Sequence, residues 1–222
     1  MKTSILDFVV VSTCVLLLAG LSGLTVWLMH FAGPYRVLMD LAVFLLAYGL
    51  FTMLLLAAVR MVRPYPVGKF SMNSAAFAHW KLNAVLVDLA AKALGPFDTV
   101  FTQALLHSGF GARIGGQVAI AGVLRDHPLL EIGERATIGQ NSVLTAHAIT
   151  HDEIVLKPIR VGPGAVVGIN CVVMPGVELG DNAVLAPGAV AITDTKIPAN
   201  ELWGGVPARK LKDLLPQPEP RS

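Results

Sequence analysis

Two histidines four positions apart, His147 and His151, followed at once by Asp152 and Glu153, are the residues of this 222-residue chain best suited to chemistry. An imidazole, with an ordinary pKa near ~6.5, takes a proton at neutral pH from a hydroxyl or an amine as that group attacks a carbonyl. A carboxylate beside it can hold the tautomer that does so, which gives Asp152 and Glu153 a place next to either histidine. Paired histidines also suit a metal, but no HExxH motif is present.

The elements that must position these residues announce themselves by a period of six. Every sixth residue reads Ile114, Ile120, Asp126, Ile132, Ile138 and Leu144, then after a break Val161, Val167, Val173, Leu179, Leu185 and Ala191. Ten of the twelve are Ile, Val or Leu, and the next position is Gly or Ala in eight. Four places on comes another small or apolar residue, such as Val118, Ala136, Ser142, Ala165, Cys171 and Ala183. This period fits neither a helix nor a plain strand. It fits short strands joined by tight turns, each strand sending one large side chain inward, which is the signature of a parallel β-helix. Twelve hexads make four triangular coils, with Gly expected at turns that would strain a Cβ. Leu144 to Val161 spans seventeen residues, not a multiple of six, so a loop over 150–160 must leave the prism, with His147 and His151 at its root.

The runs EIGERATIGQNSVLTAH, VGPGAVVGINCVVMPGVELGDNAVLAPGAV and GGVPARKLK closely resemble the left-handed β-helix acyltransferases of the hexapeptide-repeat family, over Ile114 to Lys212. The resemblance implies a homotrimer with its active site between neighbouring prisms, and acyl transfer from coenzyme A to a hydroxyl or amine. The family's T-[GA]-H pattern falls on Thr145, Ala146 and His147, which makes His147 the implied general base and His151 a second loop histidine that binds the acceptor or orients the first. The implied donor site runs past Gly168, Ile169, Ala186 and Pro187 to the basic residues Arg209 and Lys212. Many coenzyme-A-using members carry an aromatic residue where this chain has Val166, which leaves acyl-CoA and a carrier-bound thioester both open as donors. The prism fold also serves zinc-dependent carbonic anhydrases, but the ligand position two places after IG is Asn141 here, and no metal is expected. The upstream half, with Tyr65-Pro66, a helical linker and GARIG, also resembles the membrane-bound C-terminal region of poly-lysine-type nonribosomal peptide synthetases. An amide-forming domain and a catalytically silent scaffold are therefore the alternatives to acyl transfer.

The N-terminal part carries no catalytic signal, but it has two apolar runs, Phe8–Met29 and Leu41–Val59, of 22 and 19 residues without a charge. Each matches the ~20 residues that span a ~30 Å hydrocarbon core, and the first exceeds the ~7–15 residues of a signal-peptide core. A short connection through Gly33 and Pro34 makes them a two-helix transmembrane hairpin over 1–63. Lys2, Arg60, Arg63 and Lys69 flank the spans against Arg36 alone in the connection, so both chain ends and the β-helix are expected on the cytoplasmic side of the inner membrane. Asp7 and Asp40 open the two helices, where acids are favoured. Cys14 and Cys171 make no disulfide framework and read as small buried residues.

Residues 64–113 read as a helical linker, amphipathic over Ser74–Leu94 and closed by Gly95-Pro96; 114–198 form the β-helix, and 199–222 a C-terminal helix and tail. The net charge of +2 belongs wholly to the membrane segment. After Arg63, seven lysines and six arginines balance seven aspartates and six glutamates, which excludes a nucleic-acid surface. The expected partners are the bilayer, two further copies of the chain and a small or lipid-linked acceptor.

Overall fold

The computed structural model describes residues 5–29 and 31–214, so Lys2 and the tail after Leu214 lie outside the described residues. The chain divides into two units. One comprises the sequence up to Pro66 with Ser71–Asp98, and the other Val67–Phe70 with everything from Thr99.

In the first unit the uncharged runs fold as α1 (Ile5–Met29) and α2 (Arg36–Val62), with mean hydropathies of 2.3 and 2.4 over an 18-residue stretch of each. Both are long and apolar enough to cross a membrane, and large apolar side chains such as Phe8, Leu16, Trp27, Leu50 and Leu54 stand exposed on them. The hydroxyls of Thr13, Ser22, Thr25 and Thr52 donate to carbonyls four residues back at 2.7–2.9 Å, so these four are satisfied within their own helices. Gly33, at φ 107, lets the chain reverse between them. Pro64 ends α2 by forcing Arg63 into the extended region.

α3 (Ala75–Leu94) starts where the Ser74 hydroxyl accepts from the Phe77 amide at 3.2 Å. Its buried residues Phe77, Trp80, Leu86, Ala90 and Leu94 recur at helical spacing and pack on α1 and α2. The stripe thus faces the hairpin, and 64–113 is not one linker but is shared between the two units. Gly49 of α2 is required there, because a Cβ would come within 2.5 Å of the Leu94 side chain. Asp7 and Asp40 are both paired, with Lys81 at 2.5 Å and Arg36 at 3.4 Å.

In the second unit the hexads wind into a parallel β-helix, with the five-stranded, six-stranded and four-stranded sheets of a triangular prism. Ile114, Ile132, Val161, Leu179 and Ile197 stack in register through the first sheet. Ile120, Ile138, Val167, Leu185 and Trp203 do so through the second. Leu124, Leu144, Val173 and Ala191 form the third column. Burying each Leu, Ile or Val stabilises the fold by roughly 1.5–3 kcal/mol, and small residues such as Ala136, Ser142, Ala165, Cys171 and Ala183 complete a core with 0% exposure at those positions.

Four departures from the sequence reading are informative. The prism has nearly five coils rather than four, because Ile197 and Trp203 extend two of the columns. In the first coil Leu124, not Asp126, occupies the inward position, and a 3-10 turn at His127–Leu129 takes up the extra residues. The 150–160 segment is a β-hairpin rather than an open loop: His147–Thr150 pairs antiparallel with Glu153–Leu156, to which Gly68–Ser71 adds a third strand. Finally, Glu201–Gly204 and Arg209–Asp213 pair antiparallel where a C-terminal helix is expected.

The glycines after the large aliphatics serve close approach rather than turn strain. A Cβ on Gly139 would come 2.6–2.7 Å from the Gly168 carbonyl carbon and the Ile169 nitrogen of the next coil, which are backbone atoms with no room to move. The left-handed turn positions fall two residues later and are filled largely by Asn, Asp and three glycines, including Asn141, Asn170, Asn182 and Gly164. Gly139→Ala is accordingly expected to cost about 2 kcal/mol by overpacking, read as a lower Tm for the β-helix transition.

Candidate active site

Asp126, the one acid in the hexad series, explains its own misfit. Strand Val123–Arg125 pairs with Val143–Thr145, Arg125 opposite Thr145, so the residue after it arrives beside the start of the hairpin. Asp126 turns there with φ 57, a left-handed conformation that Asp tolerates better than most residues. Its carboxylate, with a side chain only 3% exposed, lies 2.6 Å from Nδ1 of His147, whose side chain is 26% exposed. The Thr145 hydroxyl donates to the His147 carbonyl at 3.1 Å and sits 3.2 Å from Nδ1. An ionised carboxylate can only accept, so this contact uses Nδ1–H, which in the neutral imidazole leaves the lone pair on Nε2. This is the base-and-orienter arrangement that general-base chemistry needs.

The hairpin separates the other candidates from this pair. His147 stands at its base opposite Leu156, whereas His151 and Asp152 form its exposed tip, beyond three further residue pairs and about 13 Å along by strand rise. His151 adopts φ 48 in the turn. Glu153 forms an ion pair with Lys69 at 2.6 Å, fastening the added strand. It is Asp126, not Asp152 or Glu153, whose carboxylate lies against His147.

Sequence reasoning also missed a second histidine contact. His107 Nδ1 and His127 Nε2 lie 2.9 Å apart, and Phe110 packs against His127, which is 4% exposed. These contacts anchor the 3-10 turn directly after Asp126 and hold the carboxylate in place. Only the adjacency of residues 126 and 127 could have signalled it.

The residues expected at the donor site gather along a different edge of the prism. Gly168-Ile169 and Ala186-Pro187 stack in successive coils, joined by the Gly188 amide donating to the Ile169 carbonyl at 2.9 Å. A Cβ on Gly168 would come within 2.7 Å of Pro187 nitrogen, so the coil edge there is bare backbone. Ile169 is 51% exposed and Pro187 is exposed. Arg209 reaches this edge opposite Gly204, while Lys212 pairs with Leu202 further along the same strand. Cys171, buried behind the edge with its thiol 3.1 Å from the Ala186 carbonyl, is pushed above the usual thiol value by burial and is an inert packing residue.

A groove of about 1080 Å³ runs along the remaining face and contains neither His147 nor Asp126. Its charges alternate up the first sheet as Arg113, Glu131, Arg160, Glu178 and Lys196, each bonded to the next, with Arg160 3.2 Å from both acids. Charges so paired offer little to a ligand, and they hold the coils in register instead. Burial raises Glu131, but Arg113 and Arg160 pull it further down; Lys196 holds Glu178 below the usual carboxylate range. Depressed carboxylates add stability above the unfolded-state value and lose it as pH falls through the folded one. The double variant E131Q/E178Q is therefore expected to lower Tm at pH 7 by a few degrees, about 1 kcal/mol for such exposed pairs. The gap to the parent should close in acid melts. Among the described residues no group of three or more His, Cys, Asp or Glu is placed to hold a metal ion.

Residues 158–191 match the family model described as bacterial transferase hexapeptide (six repeats). The chain carries the hexapeptide repeat of bacterial transferases. Among solved structures it is similar to a hexapeptide-repeat-containing acetyltransferase from Vibrio cholerae O1 biovar eltor, complexed with acetyl coenzyme A, at 19% identity and a TM-score of 0.51, covering 66% of this chain and 93% of that one. A second structure of the Vibrio cholerae hexapeptide-repeat-containing acetyltransferase gives 18% identity and a TM-score of 0.53, covering 67% and 97%. A galactoside acetyltransferase in complex with coenzyme A gives 20% identity and a TM-score of 0.51, covering 66% and 86%. At these identities the hexapeptide-repeat chain shares their left-handed β-helix fold. No curated protein matches it.

Proposed function

We propose that this chain is a membrane-anchored acetyltransferase that moves an acyl group from acyl-CoA to a hydroxyl or an amine, with His147 as general base. The observation that carries the reading is the 2.6 Å contact between His147 Nδ1 and the buried Asp126 carboxylate. In the proposed step, Nε2 takes the proton of the acceptor hydroxyl or amine as its oxygen or nitrogen forms a bond to the thioester carbonyl carbon. The carbon–sulfur bond then breaks, and the imidazolium returns its proton to the leaving thiolate. Asp126 stabilises the imidazolium between the two events.

The donor edge supports the same reading. The bare backbone at Gly168 and the exposed Ile169 and Pro187 fit the mixed amide and alkyl character of a pantetheine arm, and exposed Arg209 suits the phosphates. His147 follows the third strand of its coil, whereas Gly168-Ile169 and Ala186-Pro187 precede theirs, so one face of the prism separates the two halves of the site. A second copy of the chain, turned about a threefold axis, would bring its donor edge to this copy's His147, with His151 at the hairpin tip close to the junction. Amide formation of the peptide-synthetase kind and a silent scaffold have no observation in their favour.

The anchor is α1 and α2, whose outward apolar side chains and locally satisfied hydroxyls suit lipid. The excess of Arg60, Arg63 and Lys69 at their shared end argues for a β-helix on the cytoplasmic side.

Complementation tests the site between copies. Chains with His147→Ala are co-expressed with chains bearing Ile169→Asp and Arg209→Glu, each inactive alone. A shared site restores about a quarter of the parent activity, since half the histidines meet half the intact edges in a mixed ring. No restoration would place both halves of the site within one chain and overturn the arrangement.

A further inference from the structure

The helical unit holds a cavity of about 290 Å³ that acyl transfer does not use, between the first turns of α1, the last turn of α2 and the start of α3. Val10, Val11, Val59 and Leu82 wall it, and Arg63 and His79 supply polar groups. His79 is 6% exposed, and its Nε2 is buried without any hydrogen-bond partner among the described residues. A buried ring nitrogen left so is uncommon and points to a missing partner. Burial, and then the charge of Arg63, hold His79 below the usual histidine range, so the ring is neutral at pH 7 and one of its nitrogens donates. Lys81, also in the lining, is neutralised by Asp7 at 2.5 Å and lies 5.0 Å over the Phe77 ring. Arg63 gives one N–H to the Ala75 carbonyl at 3.2 Å and keeps further donors. The cavity therefore has a net positive charge, two sources of N–H groups and apolar walls.

We propose that this cavity binds the phosphate of an anionic phospholipid, with Arg63 and the Nε2–H of His79 donating to its oxygens and the valines covering the first carbons of the chain. The inference rests on reading α1 and α2 as membrane-spanning. The depth agrees with that reading, because the cavity lies where the uncharged run of α1 begins after Asp7 and that of α2 ends at Arg60 and Arg63, the level at which head groups meet hydrocarbon. Inorganic phosphate shares the anion chemistry but would leave the apolar walls uncovered, which favours the lipid.

The full chain, purified in detergent and offered phosphatidylglycerol or phosphatidylcholine, is examined by native mass spectrometry. One phosphatidylglycerol is expected to be retained per chain in preference to phosphatidylcholine, whose choline charge would face Arg63. Arg63→Gln combined with His79→Phe should lower that retention by about tenfold, the loss of charge-assisted hydrogen bonds. Arg36→Gln, at the opposite ends of the helices, should leave it unchanged. Equal retention of the two lipids, or no effect of the double variant, overturns the site. Displacement by inorganic phosphate assigns the cavity to a soluble phosphate and overturns the lipid. Carbonate washing of membranes reads the anchoring separately. A chain that stays in the pellet yet shows no lipid preference loses the cavity proposal alone, whereas release into the supernatant removes the anchoring and the lipid with it.

Discussion

Exchanging His147 for alanine is expected to lower kcat for acyl transfer by about 10²–10⁴-fold, the usual contribution of a positioned general base, with the KM for the acyl donor little changed. The side chain is about a quarter exposed and makes its strongest contact to Asp126, so its loss removes a proton acceptor rather than a piece of core. Residual turnover would come from holding donor and acceptor together. His147→Asn keeps a side chain able to bond Asp126 but supplies no base, and should be as slow as alanine. Steady-state release of free thiol checks both. Full activity in either variant would remove the proposed base, and substantial rescue by asparagine alone would make His147 a structural residue.

How far the sequence carried the fold depended on how repetitive the physics is. A hexad imposes the same demand at each coil, one aliphatic residue inward and one small residue behind it, so the columns from Ile132 to Leu185 could be read residue by residue. The same periodicity misled at its exception. Asp126 occupies the sixth-residue position in the sequence but not in space, because the first coil shortens its third side to Leu124 and spends the surplus on the turn that carries the carboxylate. The spacing of acids along the chain pointed to Asp152 and Glu153, which are near His151 in sequence but at the far end of a hairpin from His147. Contacts across coils, at separations of about twenty residues, leave no local pattern. Asp126 with His147 and His107 with His127 are both of this kind.

The helical half shows the complementary case. Length and composition sufficed for α1 and α2, and the stripe of Phe77, Trp80, Leu86, Ala90 and Leu94 was periodic enough to place α3. What periodicity cannot say is which surface an apolar stripe meets. The same face would suit lipid or protein, and in the structure it meets α1 and α2. At the other end a C-terminal helix is expected after Gly204, yet Glu201 draws Lys210 to 2.7 Å across an antiparallel pair, and the preceding strand supplies an open edge for it. A free strand edge is a tertiary circumstance, and it outweighs the weak helical propensity of five residues.

Asp126→Asn should lower kcat nearly as far as loss of the histidine, by about 10²–10⁴-fold, through the tautomer rather than through the fold. Asparagine tolerates the left-handed backbone that residue 126 adopts, so Tm should stay near that of the parent. Its amide can present a donor toward His147 Nδ1, which then becomes the acceptor and moves the ring proton to Nε2, where the proton blocks the base. Asp126→Gly separates the two roles. It relieves the cost of φ 57 and should hold or raise stability, yet it leaves the imidazole without its carboxylate and should be equally slow. Nitrogen-15 spectra of the His147 ring report the tautomer directly, expected as Nδ1–H in the parent and shifted toward Nε2–H in Asp126→Asn. An unchanged tautomer with lost activity would mean that Asp126 acts on the substrate and not on His147. Retained activity in both variants would leave the 2.6 Å contact as a structural bond between coils, and the general base would have to be sought elsewhere on the prism.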